Sequence, residues 1–210
     1  MDLVGAQTPA RTGRWTKAER RAQVAAVTLD IIAREGVRGV TLGRIAEAAG
    51  IAAPSLYNHF AGRREILDAA ADLLLDRVLA WIDSSSNPDM LERLREIGGS
   101  MHEARILPDR EWVITPLFEL AVAARAEGLT EQMARNQSRV LQRFIDIVEE
   151  GKRQGTIRED ADPRVVGWSL MGLGWTKDFA LLQGLDQFIA EGTADQILGN
   201  VLDRIAAKRP

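Results

Sequence analysis

Residues 41–67, TLGRIAEAAGIAAPSLYNHFAGRREIL, predict two short helices around a glycine turn, followed at once by a longer helix. Thr41 can accept a backbone N–H bond, so it is a suitable cap for the first helix. Gly50 tolerates the positive φ of a sharp reversal, and Pro54 fits the first turn of a second helix over about 53–59. This order of elements is a helix-turn-helix, whose second helix typically enters the major groove of DNA.

The stretch GIAAPSLYNHFAGRREIL, preceded by TLGRIAEAA, resembles the DNA-binding domain of the TetR family of transcriptional regulators. The resemblance covers about residues 17–67. It implies an all-α protein, in which a three-helix helix-turn-helix domain is joined by a long helix to a larger helical domain for ligand binding and dimerisation. It also implies that Ser55, Tyr57, His59 and Arg63 approach phosphates. Base edges would be approached by Arg44 and the first turn of the second helix. The predicted DNA-binding residues are Thr41, Arg44, Ala53, Pro54, Ser55, Tyr57, Asn58, His59 and Arg63.

The chain departs from the family pattern at the start of the second helix. The family usually has Ser or Thr followed by a polar or basic residue, whereas this chain has Ala52, Ala53 and then Pro54. Alanine and proline can contact a thymine methyl group, so we expect base readout to be mostly apolar. Asn58 leaves two interpretations open, pairing with an adenine edge or remaining solvated near the helix end.

Charge is distributed unevenly along the chain. Residues 1–65 contain ten Lys or Arg and six Asp or Glu, a net charge of +4, whereas residues 66–210 contain seventeen and twenty-four, a net charge of −7. A cationic domain suits a phosphate backbone, although ordinary scatter of surface charge also explains the difference. Arg11 and Arg14 belong either to a flexible arm that reaches a minor groove or to a tail whose arginines are incidental.

Hydrophobic periodicity predicts helices along the rest of the chain. The first is capped by Thr16 and ends before Gly36, and Asp162 before Pro163 is a clear helix start. The other predicted helices span about 62–82, 89–105, 110–126, 130–152, 163–184 and 194–207, with breakers at Pro108, Gly128, Gly151 with Gly155, and Gly192. We therefore expect an arm over 1–15, a helix-turn-helix domain over 16–65 and a helical domain over 66–210.

The last two helices carry extensive apolar surface. The helix after Pro163 is apolar nearly all round, which predicts burial on several sides, and the final helix has a single apolar stripe. These helices either pair with their symmetry mates in a homodimer, as the resemblance implies, or fill an intramolecular core. A two-fold dimer would present recognition helices about 34–36 Å apart to a palindromic operator.

The helical domain is also a candidate for binding a largely apolar small molecule, with His102 or Asp178 as a polar anchor. Each candidate taken alone is also explained as ordinary core packing. The candidate pocket residues are Met101, His102, Trp112, Phe118, Met133, Phe144, Trp168, Met171, Trp175 and Phe179.

Several functional classes are disfavoured. The chain has no cysteine, which excludes disulfides and thiol chemistry and fits a reducing cytoplasm. No stretch approaches the 18 apolar residues of a membrane span, and no targeting signal is recognisable. The two histidines, His59 and His102, fall in different predicted domains, and no catalytic, metal-binding or nucleotide-binding motif occurs. We expect neither an enzyme nor a metal or other cofactor.

These features predict a sequence-specific DNA-binding regulator, a repressor that a small apolar ligand releases from its operator. An activator and a helical protein-binding adaptor without ligand response are the alternatives.

Overall fold

The structure, a computed structural model, describes residues 15–103, 111–185, 187 and 190–207, without the side chains of 100–103 and 111–113. These residues form helices without strands, which confirms the predicted all-α fold. The helices are α1 (Lys17–Glu35), α2 (Leu42–Ala48), α3 (Ala53–Leu56), α4 (Arg63–Ile82), α5 (Met90–Glu103), α6 (Glu111–Glu127), α7 (Thr130–Gln154), α8 (Pro163–Leu182) and α9 (Thr193–Ile205), with a 3₁₀ turn at Val37–Gly39. None of the helices in the described ranges is long and apolar enough to cross a bilayer.

Side-chain caps fix where the predicted helices begin. Thr16 forms a capping box with Glu19 at the start of α1. The Thr41 hydroxyl accepts the Arg44 N–H at 3.3 Å at the start of α2. Asp162 accepts the Arg164 N–H at 2.8 Å at the start of α8. Each cap satisfies backbone donors that have no partner within the helix, so these boundaries follow from local sequence.

Two helix ends differ from the prediction. The α-helical part of α3 stops at Leu56, not at residue 59, because the Tyr57, Asn58 and His59 N–H groups bond to carbonyls three residues back. The segment therefore continues as tighter turns. Gly151 does not break α7, which runs to Gln154. A Cβ at this glycine would lie 2.6 Å from Ile157 Cδ1, so Gly151 is required for close packing.

The chain divides into two compact units. Unit 1 comprises the described residues of Met1–Leu74 and Pro108–Met133, and it therefore contains α1–α3, the first part of α4 and all of α6. It is larger than the helix-turn-helix domain expected over 16–65. The reason is that α6 packs along α1, where Leu120 and Leu129 are completely buried in the same apolar cluster as Leu29 and Ile66.

Unit 2 comprises the described residues of Leu75–Leu107 and Ala134–Pro210. Its core is formed by Leu94, Ile147, Val148 and Leu202, together with other apolar residues of α4, α5, α7, α8 and α9. In the single chain, only part of the apolar surface of α8 is buried. Val166 and Met171 are buried in this core, whereas other apolar residues of the helix face solvent.

Candidate nucleic-acid interface and ligand cavity

The helix-turn-helix exposes most of the side chains predicted to contact DNA. Tyr57 is 61% exposed. Thr41, Arg44, Pro54 and Asn58 are also exposed, and Ala53, Ser55 and His59 are half-buried. By contrast, Leu56 and Phe60 are buried, as the sequence predicted. The turn at Gly50 has φ +65° and brings α2 and α3 into contact.

The two arginines of the predicted DNA-binding set already have protein partners. Arg44 forms an ion pair with Glu35, although its side chain remains 52% exposed. The Arg63 guanidinium donates to the carbonyls of Val40, at 2.7 Å, and Val37, at 2.9 Å, and pairs with Glu127. Arg63 therefore ties the segment before α2 to α4 and α6, and its guanidinium is engaged inside unit 1 instead of being directed at solvent.

A further arginine, Arg21 on α1, fixes the segment that follows α3. Its guanidinium donates to the carbonyl of His59, lies 4.2 Å from the ring centroid of Phe60 and donates to Glu65 at 2.7 Å. Glu65 also accepts the Ala61 N–H at 2.6 Å, and this bond and Arg21 hold the pKa of the Glu65 carboxyl below its usual value. The motif alone gave no signal for Arg21, because its partners lie about forty residues away along the chain.

Within unit 1, α6 makes contacts with the segment between α1 and α2 that the sequence analysis missed. Glu119 Oε2 accepts the Val37 N–H at 3.1 Å. The same oxygen lies only 2.7 Å from the position that a Cβ would take at Gly36, where φ is +70°. Together with the Arg63–Glu127 ion pair, this bond anchors α6 to the segment between α1 and α2.

Unit 2 contains a small apolar cavity of about 20 Å³, which is room for about one water molecule. Helices α4, α5, α7, α8 and α9 all contribute to its wall. The lining residues are Trp81, Leu94, Ile97, Gly98, Phe144, Leu170, Leu173, Gly174, Lys177 and Leu198.

The structure does not bring the predicted pocket residues together in one site. Phe144 lines the cavity, and Met171 is buried in the same apolar cluster. Phe118 and Met133 belong to unit 1, where Met133 is part of the core. The proposed anchor Asp178 is 9% exposed. The side chains of Met101, His102 and Trp112 lie outside the described residues.

The remaining aromatic candidates lie on or beside the surface of unit 2. Trp168 is 56% exposed and Phe179 is 53% exposed, and Trp168 meets half-buried Trp175 edge to face with ring centroids 5.5 Å apart. Other large apolar residues of α8, its C-terminal turn and α9 are exposed as well. We call this set the apolar face: Val165, Trp168, Phe179, Leu182, Leu185 and Ile197.

The helix-turn-helix region is similar to a known protein family. The sequence model of the TetR family of bacterial regulatory proteins matches residues 24–73. This range contains most of α1, all of α2 and α3 and the first half of α4.

Similarity to known proteins extends beyond that motif. The chain is 29% identical over 151 residues to the HTH-type transcriptional repressor KstR2 of Mycobacterium tuberculosis H37Rv, which covers 70% of this chain and 74% of the relative. It is 25% identical over 205 residues to KstR2 of Rhodococcus jostii, covering 91% and 93%. Among solved structures, a TetR-family transcriptional regulator from Rhodococcus sp. superposes with a TM-score of 0.76 at 23% identity, covering 90% of this chain and 100% of that one.

Proposed function

Because the chain belongs to the TetR family of transcriptional regulators, we propose that it is a repressor that binds a palindromic operator as a homodimer and is released by a small, largely apolar ligand. The observation that carries this proposal is the exposed set of Thr41, Tyr57 and Asn58 on a helix-turn-helix whose core is fully packed. The family consists of regulators, not enzymes, in agreement with the sequence analysis. A cytoplasmic location follows from action on DNA.

DNA binding is also supported by the contacts that hold α2 and α3 in place. Arg21 and Arg63 bond to backbone carbonyls on either side of α2 and α3, so the two short helices are supported by α1, α4 and α6. A preorganised surface loses little conformational freedom on binding, and its exposed polar side chains are available to phosphates and base edges.

Dimer formation is supported by the apolar face of unit 2. Isolated apolar residues on a surface are ordinary, but several large ones on two successive helices mark an interaction site. Trp168 and Phe179 would be the central contacts, since aromatic residues supply much of the binding energy in protein interfaces. A two-fold homodimer would carry two copies of α3, which matches the two half-sites of a palindromic operator.

Ligand response is supported by the continuity of α4. Its residues 63–74 belong to unit 1 and its residues 75–82 to unit 2. Arg63 at one end is bonded to the segment before α2, and Trp81 near the other end lines the cavity. A ligand that displaces Trp81 would therefore act on a helix that supports the DNA-binding surface. It can weaken DNA binding only by as much as it prefers the released state over the bound one.

The test uses DNA that the unmodified protein selects from fragments of its source genome. Tyr57→Phe combined with Arg44→Ala should weaken binding to that DNA by about 10-fold or more, since the variant loses the Tyr57 hydrogen bond to a phosphate and the Arg44 contact with a base edge, each worth about 1 kcal/mol or more. Fluorescence anisotropy at several salt concentrations should also show a salt slope smaller by about 1 for the lost phosphate contact.

Arg125→Ala is the matched control, because Arg125 is an exposed arginine of unit 1 that lies on α6, outside the motif. It should leave affinity and salt slope unchanged. Equal effects of the two variants would indicate non-specific attraction. Unchanged binding by the double variant would contradict the assignment of Tyr57 and Arg44 as DNA contacts. Failure of the unmodified protein to select any DNA would favour the protein-binding adaptor.

A further inference from the structure

The side chain of Arg44 is held from two directions in the helix-turn-helix. Its backbone N–H donates to the Thr41 hydroxyl that caps α2, at 3.3 Å, and its Nη1 donates to the carboxylate of Glu35 at the end of α1. The Arg44 side chain is nevertheless 52% exposed. Among the described residues only Nη1 of the guanidinium has a partner, so the edge formed by Nε and Nη2 keeps its donors for another molecule.

The carboxylate that holds Arg44 is itself confined. A Cβ at Gly39 would lie 2.6 Å from Glu35 Cβ and 2.9 Å from its Oε2, so the 3₁₀ turn Val37–Gly39 closes directly on this side chain. The Glu35 side chain is 33% exposed. A fixed acceptor restricts the rotamers of a long arginine before DNA arrives, which reduces the conformational entropy lost on binding.

We propose that Glu35 is a positioning residue for sequence readout, which holds Arg44 so that its Nε and Nη2 pair with a guanine in each operator half-site. This inference rests on the proposed function and specifies what the motif reads. Guanine presents two acceptors, O6 and N7, side by side in the major groove, and two parallel N–H donors of an arginine match them. The bond from Nη1 to Glu35 leaves that edge of the guanidinium unoccupied.

The charge of Glu35 distinguishes positioning from two simpler roles. A carboxylate beside Arg44 offsets the positive charge and so weakens general attraction to phosphates, while the directional bonds of the guanidinium remain. Loss of the carboxylate should therefore strengthen binding to any DNA and weaken discrimination between bases. If Glu35 only repelled DNA, binding would strengthen without any loss of discrimination. If it only stabilised the fold, binding to all DNA would change together.

The experiment uses the full-length protein and the DNA that it selects, with each G·C pair of one half-site replaced in turn by A·T. Fluorescence anisotropy should show that at least one replacement weakens binding by about 10-fold or more, as a lost bidentate guanine contact does. Arg44→Ala should bring the effect of that replacement close to 1-fold, which identifies the base pair that Arg44 reads. Glu35→Gln should reduce it to about 3-fold or less and should also raise affinity for competitor DNA.

Two further variants separate position from charge. Glu47→Gln is the matched control, since Glu47 is an exposed residue of α2 that lines the same cleft between α1 and α2 but is not the ion-pair partner of Arg44. It should leave the effect of every base-pair replacement unchanged. Gly39→Ala keeps all charges but displaces Glu35, and the φ of Gly39 is not positive, so alanine fits its backbone. It should reduce discrimination at the Arg44 base pair without raising affinity for competitor DNA.

The proposal is overturned if Glu35→Gln changes binding to all DNAs by the same factor, in either direction. It is also overturned if Arg44→Ala leaves the effect of every base-pair replacement intact. Both results leave the proposed function standing, because the selected DNA is still bound specifically. Failure of the unmodified protein to select any DNA contradicts the proposed function itself, and this inference with it.

Discussion

The two units of this protein differ in how much apolar surface they expose. Unit 1 exposes only two of its described large apolar side chains, Tyr57 and Val122, and uses arginines to bond its own backbone. Unit 2 exposes the six residues of the apolar face and buries the charged side chain of Lys177. We therefore expect that the apolar face of unit 2 has an apolar partner for which unit 1 has no matching surface among its described residues.

A charge placed on the apolar face should have the largest effect. Trp168→Glu should weaken self-association by about 30-fold or more, because truncating an aromatic residue at the centre of an interface typically costs about 2 kcal/mol or more and an added charge must also be desolvated. Sedimentation equilibrium over a range of protein concentrations measures the change.

Val122→Glu is the matched control, since Val122 is 85% exposed but lies on α6 in unit 1. It should leave the dissociation constant unchanged. If Trp168→Glu also leaves it unchanged, the apolar face is not the dimer interface.

Arg63 should contribute to the stability of unit 1. Arg63→Met should lower the free energy of unfolding by about 2–3 kcal/mol, because the carbonyls of Val37 and Val40 would lose charge-assisted bonds in a buried setting. Urea denaturation provides the measurement. Arg64→Met is the control. Its side chain is 58% exposed and pairs with Asp68 at 3.6 Å, so the expected loss is below about 0.5 kcal/mol.

The alternative for Arg63 is the phosphate contact that the family resemblance implied. In that case Arg63→Met would leave the free energy of unfolding near its original value and would instead weaken DNA binding and reduce its salt dependence.

The smallest expected effect concerns the start of α3. Ala52 occupies the N-cap position there without a side-chain bond, whereas Thr41 caps α2. Ala52→Ser should raise the free energy of unfolding by about 1 kcal/mol, and Thr41→Ala should lower it by a similar amount. Thermal denaturation followed by circular dichroism tests both. No rise for Ala52→Ser would contradict the assignment of this residue as the N-cap.

Most of the helical architecture could be predicted from the sequence because its determinants are local. Thr16, Thr41 and Asp162 cap the helices they were expected to cap, and the predicted and observed starts of α4, α7 and α8 agree within one residue. Gly50 takes the positive φ that the turn requires. These features depend on neighbours within a few residues, which a sequence displays directly.

Contacts between segments that are far apart in the sequence could not be predicted. Glu119 and Glu127 contact segments more than sixty residues away, and nothing near them in the sequence indicates that α6 belongs to unit 1. The apolar character of α8 indicated burial but did not reveal that Trp168 and Phe179 would remain exposed in a single chain.

The most direct test of the regulator assignment is selection of DNA from fragments of the source genome, including the DNA that flanks the protein's own gene. The purified protein should be tested at about physiological salt with excess competitor DNA. We expect enrichment of one or a few palindromic sites whose half-sites lie about one helical turn apart. Uniform, salt-sensitive binding to all fragments, or no binding at all, would contradict a sequence-specific repressor.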